Sequence, residues 1–173
     1  MSPTESASEA LTRRFAAAMM GNYGVPPLAL ARGEGSYAWD VDGNRYLDLI
    51  AGIAVSALGH AHPAIVGAVT AQVQKVAHTS NLFVHEPGVL LAEKLLSLLH
   101  ADARVFFCNS GTEANEAALK VVRRQQGPKG KRVIVAADHG FHGRTMGALA
   151  VTGKESIRAP FEPFGFEIGR AHV

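Results

Sequence analysis

One cysteine, Cys108, is the only thiol in 173 residues, so no disulfide can close within the chain and nothing marks an oxidising compartment. The default setting is the cytoplasm. Aromatic residues are few, 7%, and charged residues make up 18% against 47% hydrophobic, a balance that excludes disordered, collagen-like and coiled-coil chains and fits a globular domain. Lys and Arg number 17 against 15 Asp and Glu, an excess of two with no basic run, which gives no argument for nucleic acid. Long apolar runs are missing too: Leu49 to Leu58 is about half of the roughly 20 residues a membrane-spanning helix needs. The start, Met1 to Ala10, carries Glu5 and Glu9 and no basic stretch, so no secretory signal is expected. There is no G-x-S-x-G, no P-loop and no G-x-G-x-x-G.

What is present has the order of an α/β protein. A helix is expected near Ala10 to Met20, followed by a Gly/Pro-rich connector through Asn22-Tyr23-Gly24-Val25-Pro26-Pro27. Tyr37-Ala38-Trp39-Asp40 and Arg45-Tyr46-Leu47-Asp48 flank Val41-Asp42-Gly43-Asn44, whose Asp-Gly predicts a β-hairpin. Beyond Pro63, the residues Ile65, Val66, Val69, Val73 and Val76 recur at helical spacing and predict a helix to about Ala77. A further helix is predicted over Glu86 to Leu99. Arg104 to Cys108 is a β-type run, Asn109-Ser110-Gly111 a turn, Thr112 to Arg124 a helix, and Arg132 to Ala137 a second buried-strand candidate. That order predicts one β-α-β unit of a mostly parallel sheet over residues 104–137. Ligands in such sheets bind beyond the carboxyl ends of the strands, where loops 109–112 and 138–145 fall. The sheet has too few strands to cover its faces, so the chain is expected to be part of a larger α/β protein.

Two loops carry candidate chemistry. Asn109-Ser110-Gly111-Thr112-Glu113 puts a glycine and hydroxyls at a helix start, where free N–H groups and the helix dipole suit a phosphate. The same residues also spell a capping box, Ser110 with Glu113, which needs no ligand. Phe141-His142-Gly143-Arg144-Thr145 offers a ring to stack on a planar cofactor and a guanidinium to bind a carboxylate, or else a core phenylalanine and a solvated arginine. His60 and His62 could donate to a metal, yet no Cys or carboxylate stands at a spacing that completes a site, so none is expected. Cys108 is expected to be a small buried apolar residue.

The stretch Val105-Phe106-Phe107-Cys108-Asn109-Ser110-Gly111-Thr112-Glu113-Ala114-Asn115-Glu116-Ala117-Ala118-Leu119-Lys120, together with Phe141-His142-Gly143-Arg144-Thr145, resembles the class III pyridoxal-phosphate aminotransferases. Trp39-Asp40-x-x-Gly43-x-x-Tyr46-Leu47-Asp48, Gly52-Ile53-Ala54-Val55-x-x-Leu58-Gly59-His60-x-His62-Pro63 and His78-Thr79-Ser80-Asn81-Leu82-Phe83 agree with that family, in order. The resemblance implies the amino-terminal part of a fold-type I transferase that passes an amino group from an amino-acid substrate to 2-oxoglutarate with pyridoxal 5′-phosphate. It implies that Ser110, Gly111 and Thr112 hold the cofactor phosphate and that Phe141 stacks on its ring. Arg144 would grip a substrate carboxylate, Tyr23 would line the substrate entrance, and Ser80-Asn81 would lie near a homodimer interface. By the same resemblance, residues 1–60 are an arm and hairpin of the small domain, and residues 61–166 begin the large cofactor domain. The Schiff-base lysine of the family sits in a segment like A-K-G-L-G-G-G, which is absent here, so the chain alone is expected not to transaminate. Residues 167–173 resemble the translation of a common DNA-sequencing adaptor and are expected to be a non-native tail. A non-catalytic module that binds phosphate or a partner subunit is the alternative reading.

Overall fold

The computed structural model describes residues 5–100 and 102–171, and the chain divides into two compact units, Met1–Val84 and His85–Val173. In the first unit, α1 (Ala7–Ala18) opens with a reciprocal cap: the Ser6 hydroxyl accepts the Glu9 N–H, and the Glu9 carboxylate accepts the Ser6 N–H. Its next two N–H groups, of Ala7 and Ser8, go to the Asp42 carboxylate at 2.9 and 3.1 Å. Asp42 belongs to the turn of an antiparallel meander of β1 (Leu30–Glu34), β2 (Tyr37–Asp40) and β3 (Arg45–Leu47). The expected hairpin is β2–β3. β1 joins it from a segment whose residues carry no strand alternation, and Arg32 lies over the Trp39 ring at 3.5 Å. Buried Asp40 is the hub of the turn, accepting from the N–H groups of Asp42 and Asn44, the Asn44 side-chain amide and the Tyr46 hydroxyl.

After β3 a short turn, α2 (Ala51–Ala54), passes through the left-handed region at Gly52 and Ile53. The Asp48 carboxylate holds its start by accepting the Ile50 and Ala51 N–H groups, and its other oxygen meets His60 Nε2 at 2.7 Å. His62 Nδ1 accepts the Ala64 N–H and so caps α3 (Pro63–Val73), which ends earlier than Ala77. Both histidines therefore have structural tasks.

The second unit begins with α4 (Glu86–Leu99), as predicted. The β-type run Arg104–Cys108 has no regular secondary structure and pairs with no strand among the described residues. The expected β-α-β unit over 104–137 is thus corrected: strand propensity alone does not make a strand, which exists only through a partner, and β4 (Ile134–Ala137) finds its parallel partner in β5 (Ile168–Ala171). Between residues 104–108 and β4 lies α5 (Gly111–Gln126); between the two strands lie α6 (Met146–Val151) and α7 (Glu155–Arg158). The order of strands and helices is α/β, as expected. The unit's buried core is small and centred on α6, with Ala148, Leu149, Ala150 and Val151 beside Ala136 and Thr152. Arg170 of β5 reaches the carboxyl end of α6, donating to the Ala150 and Val151 carbonyls at 2.8 and 3.0 Å. Phe106, Phe107, Val121, Val133 and Val135 remain exposed. Among the described residues no helix is long and apolar enough to cross a membrane.

Candidate functional site

Two loops meet over the first turn of α5. Ser110 is extended (φ −152°, ψ 162°), which turns its hydroxyl back to accept the Glu113 N–H at 3.2 Å. The Glu113 carboxylate accepts the Asn109 N–H at 2.7 Å, one residue before the cap, so the capping box forms in a shifted version. The Ala114 N–H goes to the Ser110 carbonyl. Among the described residues this leaves the Gly111 and Thr112 N–H groups without a protein acceptor, and the Ser110 hydroxyl with its own proton to give. The cap therefore does not use up the donors of this turn. A Cβ placed on Gly111 would meet nothing within 4 Å, so the approach to these donors is open.

The second loop, 141–145, leaves the carboxyl end of β4 and is held by one face of α5. Thr112, Asn115 and Glu116 stand at i, i+3 and i+4, and each bonds the loop or the helix it leads into. Asn115 donates its side-chain N–H to the His142 carbonyl at 2.6 Å. Glu116 Oε1 accepts from the Thr145 hydroxyl at 2.5 Å and from the Gly147 and Ala148 N–H groups at 2.8 and 3.1 Å, capping α6 from a neighbouring helix. Thr112 and Thr145 hydroxyls are 3.0 Å apart. Thr145 spends its proton on Glu116, so Thr112 is the donor in that pair, and toward any anion Thr112 can offer its N–H but not its hydroxyl proton.

Gly143 is buried at φ +130°, and a Cβ there would collide with the Thr112 hydroxyl. Fully buried Thr152 closes the loop from behind: its hydroxyl accepts the His142 N–H and donates to the Gly143 or Ala148 carbonyl, each at 3.1 Å. The Glu116 carboxyl is held below the ordinary range, chiefly by the Thr145 hydrogen bond; burial opposes this, and the Ala148 and Gly147 N–H groups add to the lowering.

The structure therefore brings Ser110, Gly111 and Thr112 together with the loop that bears Phe141 and Arg144. The Phe141 ring is 65% exposed, which sets aside a core role in this unit, and Arg144 is exposed. Tyr23 ends a short turn, Gly21–Tyr23, in the other unit. Cys108 is half-buried rather than enclosed. Asn115, Glu116 and Thr145 fall inside the stretches that carry the family resemblance, but neither their residue types nor that of Thr152 marks these contacts; the first two stand at i+3 and i+4 from Thr112. Among the described residues no three His, Cys, Asp or Glu side chains cluster as metal ligands.

The aminotransferase class-III family model matches residues 18–173. The acetylornithine aminotransferase of Mycolicibacterium smegmatis is 58% identical over 153 residues, 88% of this chain and 38% of that protein. The solved N-acetylornithine aminotransferase of Stenotrophomonas maltophilia is 44% identical with a TM-score of 0.65, over 71% of this chain and 35% of that one. The taurine:2-oxoglutarate aminotransferase of Bifidobacterium kashiwanohense, solved in complex with PLP and glutamate, is 28% identical with a TM-score of 0.85, over 98% and 39%. The chain spans about two fifths of the length of the curated relatives it matches. Since the family match runs from residue 18 through both loops of the site, the chain belongs to the class-III aminotransferases.

Proposed function

We propose that this chain supplies the phosphate-binding and carboxylate-binding side of an enzyme that moves the terminal amino group of N-acetylornithine to 2-oxoglutarate with pyridoxal 5′-phosphate, in arginine biosynthesis. The observation that carries the reading is the start of α5. A phosphate dianion only accepts hydrogen bonds, and this helix end has three donors to give it: the Gly111 and Thr112 N–H groups and the Ser110 hydroxyl. The residues present thus fit the phosphate of the cofactor. Phe141 offers an exposed ring face to the pyridine. Arg144 matches a substrate carboxylate through two parallel hydrogen bonds, and Tyr23 lines the substrate entrance. When bound, the cofactor supplies the electron sink that amino-group exchange requires.

The chain's six lysines, Lys75, Lys94, Lys120, Lys129, Lys131 and Lys154, lie outside any segment like A-K-G-L-G-G-G, so the Schiff-base lysine is assigned to a further segment of the enzyme. Residues 1–60 serve as arm and hairpin, residues 61–166 as the start of the cofactor domain, and the enzyme works as a cytoplasmic homodimer. The substrate assignment is supported by the 58% identical relative. It is tested by glutamate formation from 2-oxoglutarate in the full-length enzyme loaded with cofactor. N-acetylornithine is expected to give a higher kcat/KM than ornithine, succinylornithine or 4-aminobutyrate, and a higher value for any of those three would replace it as the substrate.

A further inference from the structure

We propose that Glu116 is a positioning residue of this site, and that its carboxylate sets where Phe141 and Arg144 stand. The inference rests on the functional reading above. The loop carrying those two residues follows a four-residue strand and precedes a six-residue helix, elements too short to fix it alone. Glu116 fastens the loop's last residue and the first turn of α6 with a single oxygen that accepts from Thr145, Gly147 and Ala148. Gly147 packs directly against this carboxylate, since a Cβ there would overlap it, so the contact has no slack. Thr112 is tied into the same network through Thr145, which means that the helix turn offering donors to phosphate and the loop offering Phe141 and Arg144 share one anchor. Shifting that anchor moves the carboxylate-binding arginine relative to the phosphate donors, and a displacement of about 1 Å is enough to cost a well-oriented site much of its activity.

The test compares Glu116→Ala and Glu116→Gln in the full-length holoenzyme. Amide exchange at Gly147 and Ala148 reports the clamp; KM and kcat for the amino donor, and the dissociation constant of pyridoxamine 5′-phosphate measured on the same full-length enzymes freed of cofactor, report the site. Glu116→Ala is expected to speed exchange at both amides by roughly tenfold or more and to raise KM by roughly tenfold. Glu116→Gln keeps an oxygen where the three donors converge and is expected to restore most of the KM. Faster exchange in Glu116→Ala with KM, kcat and cofactor affinity all unchanged would overturn the positioning role, because the clamp would then be purely structural. Unchanged exchange would overturn the clamp. A wild-type full-length enzyme that neither binds pyridoxamine 5′-phosphate when freed of cofactor nor turns over any amino donor when supplied with it would refute the functional reading, and this role with it, while the exchange comparison would still report whether Glu116 holds the loop.

Discussion

Replacing Gly111 by proline removes one hydrogen-bond donor from the proposed phosphate site and almost nothing else. Gly111 is the first helical residue of α5, the position where proline is best tolerated. Ser110 before it is already extended, the conformation a residue preceding proline requires. The Gly111 N–H bonds no protein acceptor among the described residues, so the fold loses no hydrogen bond, while a bound phosphate loses one. A hydrogen bond to a charged group is worth about 1.5–3 kcal/mol, so pyridoxamine 5′-phosphate should bind roughly 10- to 150-fold more weakly. Gly111→Ala retains the donor and puts its methyl group into open space, so the difference between Pro and Ala isolates the N–H. The assay is a calorimetric titration of the full-length enzyme at fixed ionic strength, with the melting temperature followed alongside. Wild-type affinity in Gly111→Pro, with the melting temperature unchanged, would refute the placement of phosphate at this helix end. Equal losses in Pro and Ala would show that crowding, not the donor, was responsible.

Thr152→Val keeps the shape of a buried side chain but strands the His142 N–H, and should cost about 1–3 kcal/mol in urea unfolding. Gly143→Ala forces a non-glycine residue to φ +130° against the Thr112 hydroxyl, and should cost on the order of 1–3 kcal/mol, read by the same method. Glu116 has a folded-state pKa lowered from its ordinary value of 4.5, so the stability it contributes is complete above that value and is lost as the pH falls through the lowered one. Melting temperatures measured from pH 7 down to about 3 should therefore show wild type losing its advantage over Glu116→Gln in the acid range, and a gap independent of pH would contradict this. Asp42→Ala should speed amide exchange at Ala7 and Ser8, whose N–H groups it accepts, and unchanged protection there would show that the hairpin turn does not hold α1.

Local signals carried the elements whose causes are local. Asp42-Gly43 between two short alternating runs foretold the β2–β3 hairpin, and Pro87 with its leucine-rich face foretold α4 to the residue. Elements that exist only by distant pairing were illegible. β1 is a strand because it lies along β2, and Arg104–Cys108, with better strand residues than β5, is none because it pairs with no strand among the described residues. The site divides in the same way. Ser110-Gly111-Thr112 advertises itself through residue types at a helix start, whereas the shift of the Glu113 bond to the Asn109 N–H, which leaves the Gly111 and Thr112 N–H groups without a protein acceptor among the described residues, is not written in the S-x-x-E pattern. Asn115 and Glu116 look like ordinary helix residues; their roles come from a loop some 30 residues later that no local pattern connects to them.

The most direct measurement is a crystal structure of the full-length enzyme with pyridoxal 5′-phosphate bound. The phosphate should lie at the start of α5, within hydrogen-bond distance of the Gly111 and Thr112 N–H groups and the Ser110 hydroxyl, with the Thr112 hydroxyl still turned to Thr145 and Phe141 stacked on the pyridine ring. A phosphate bound elsewhere, or a cofactor ring out of reach of Phe141, would contradict the assignment.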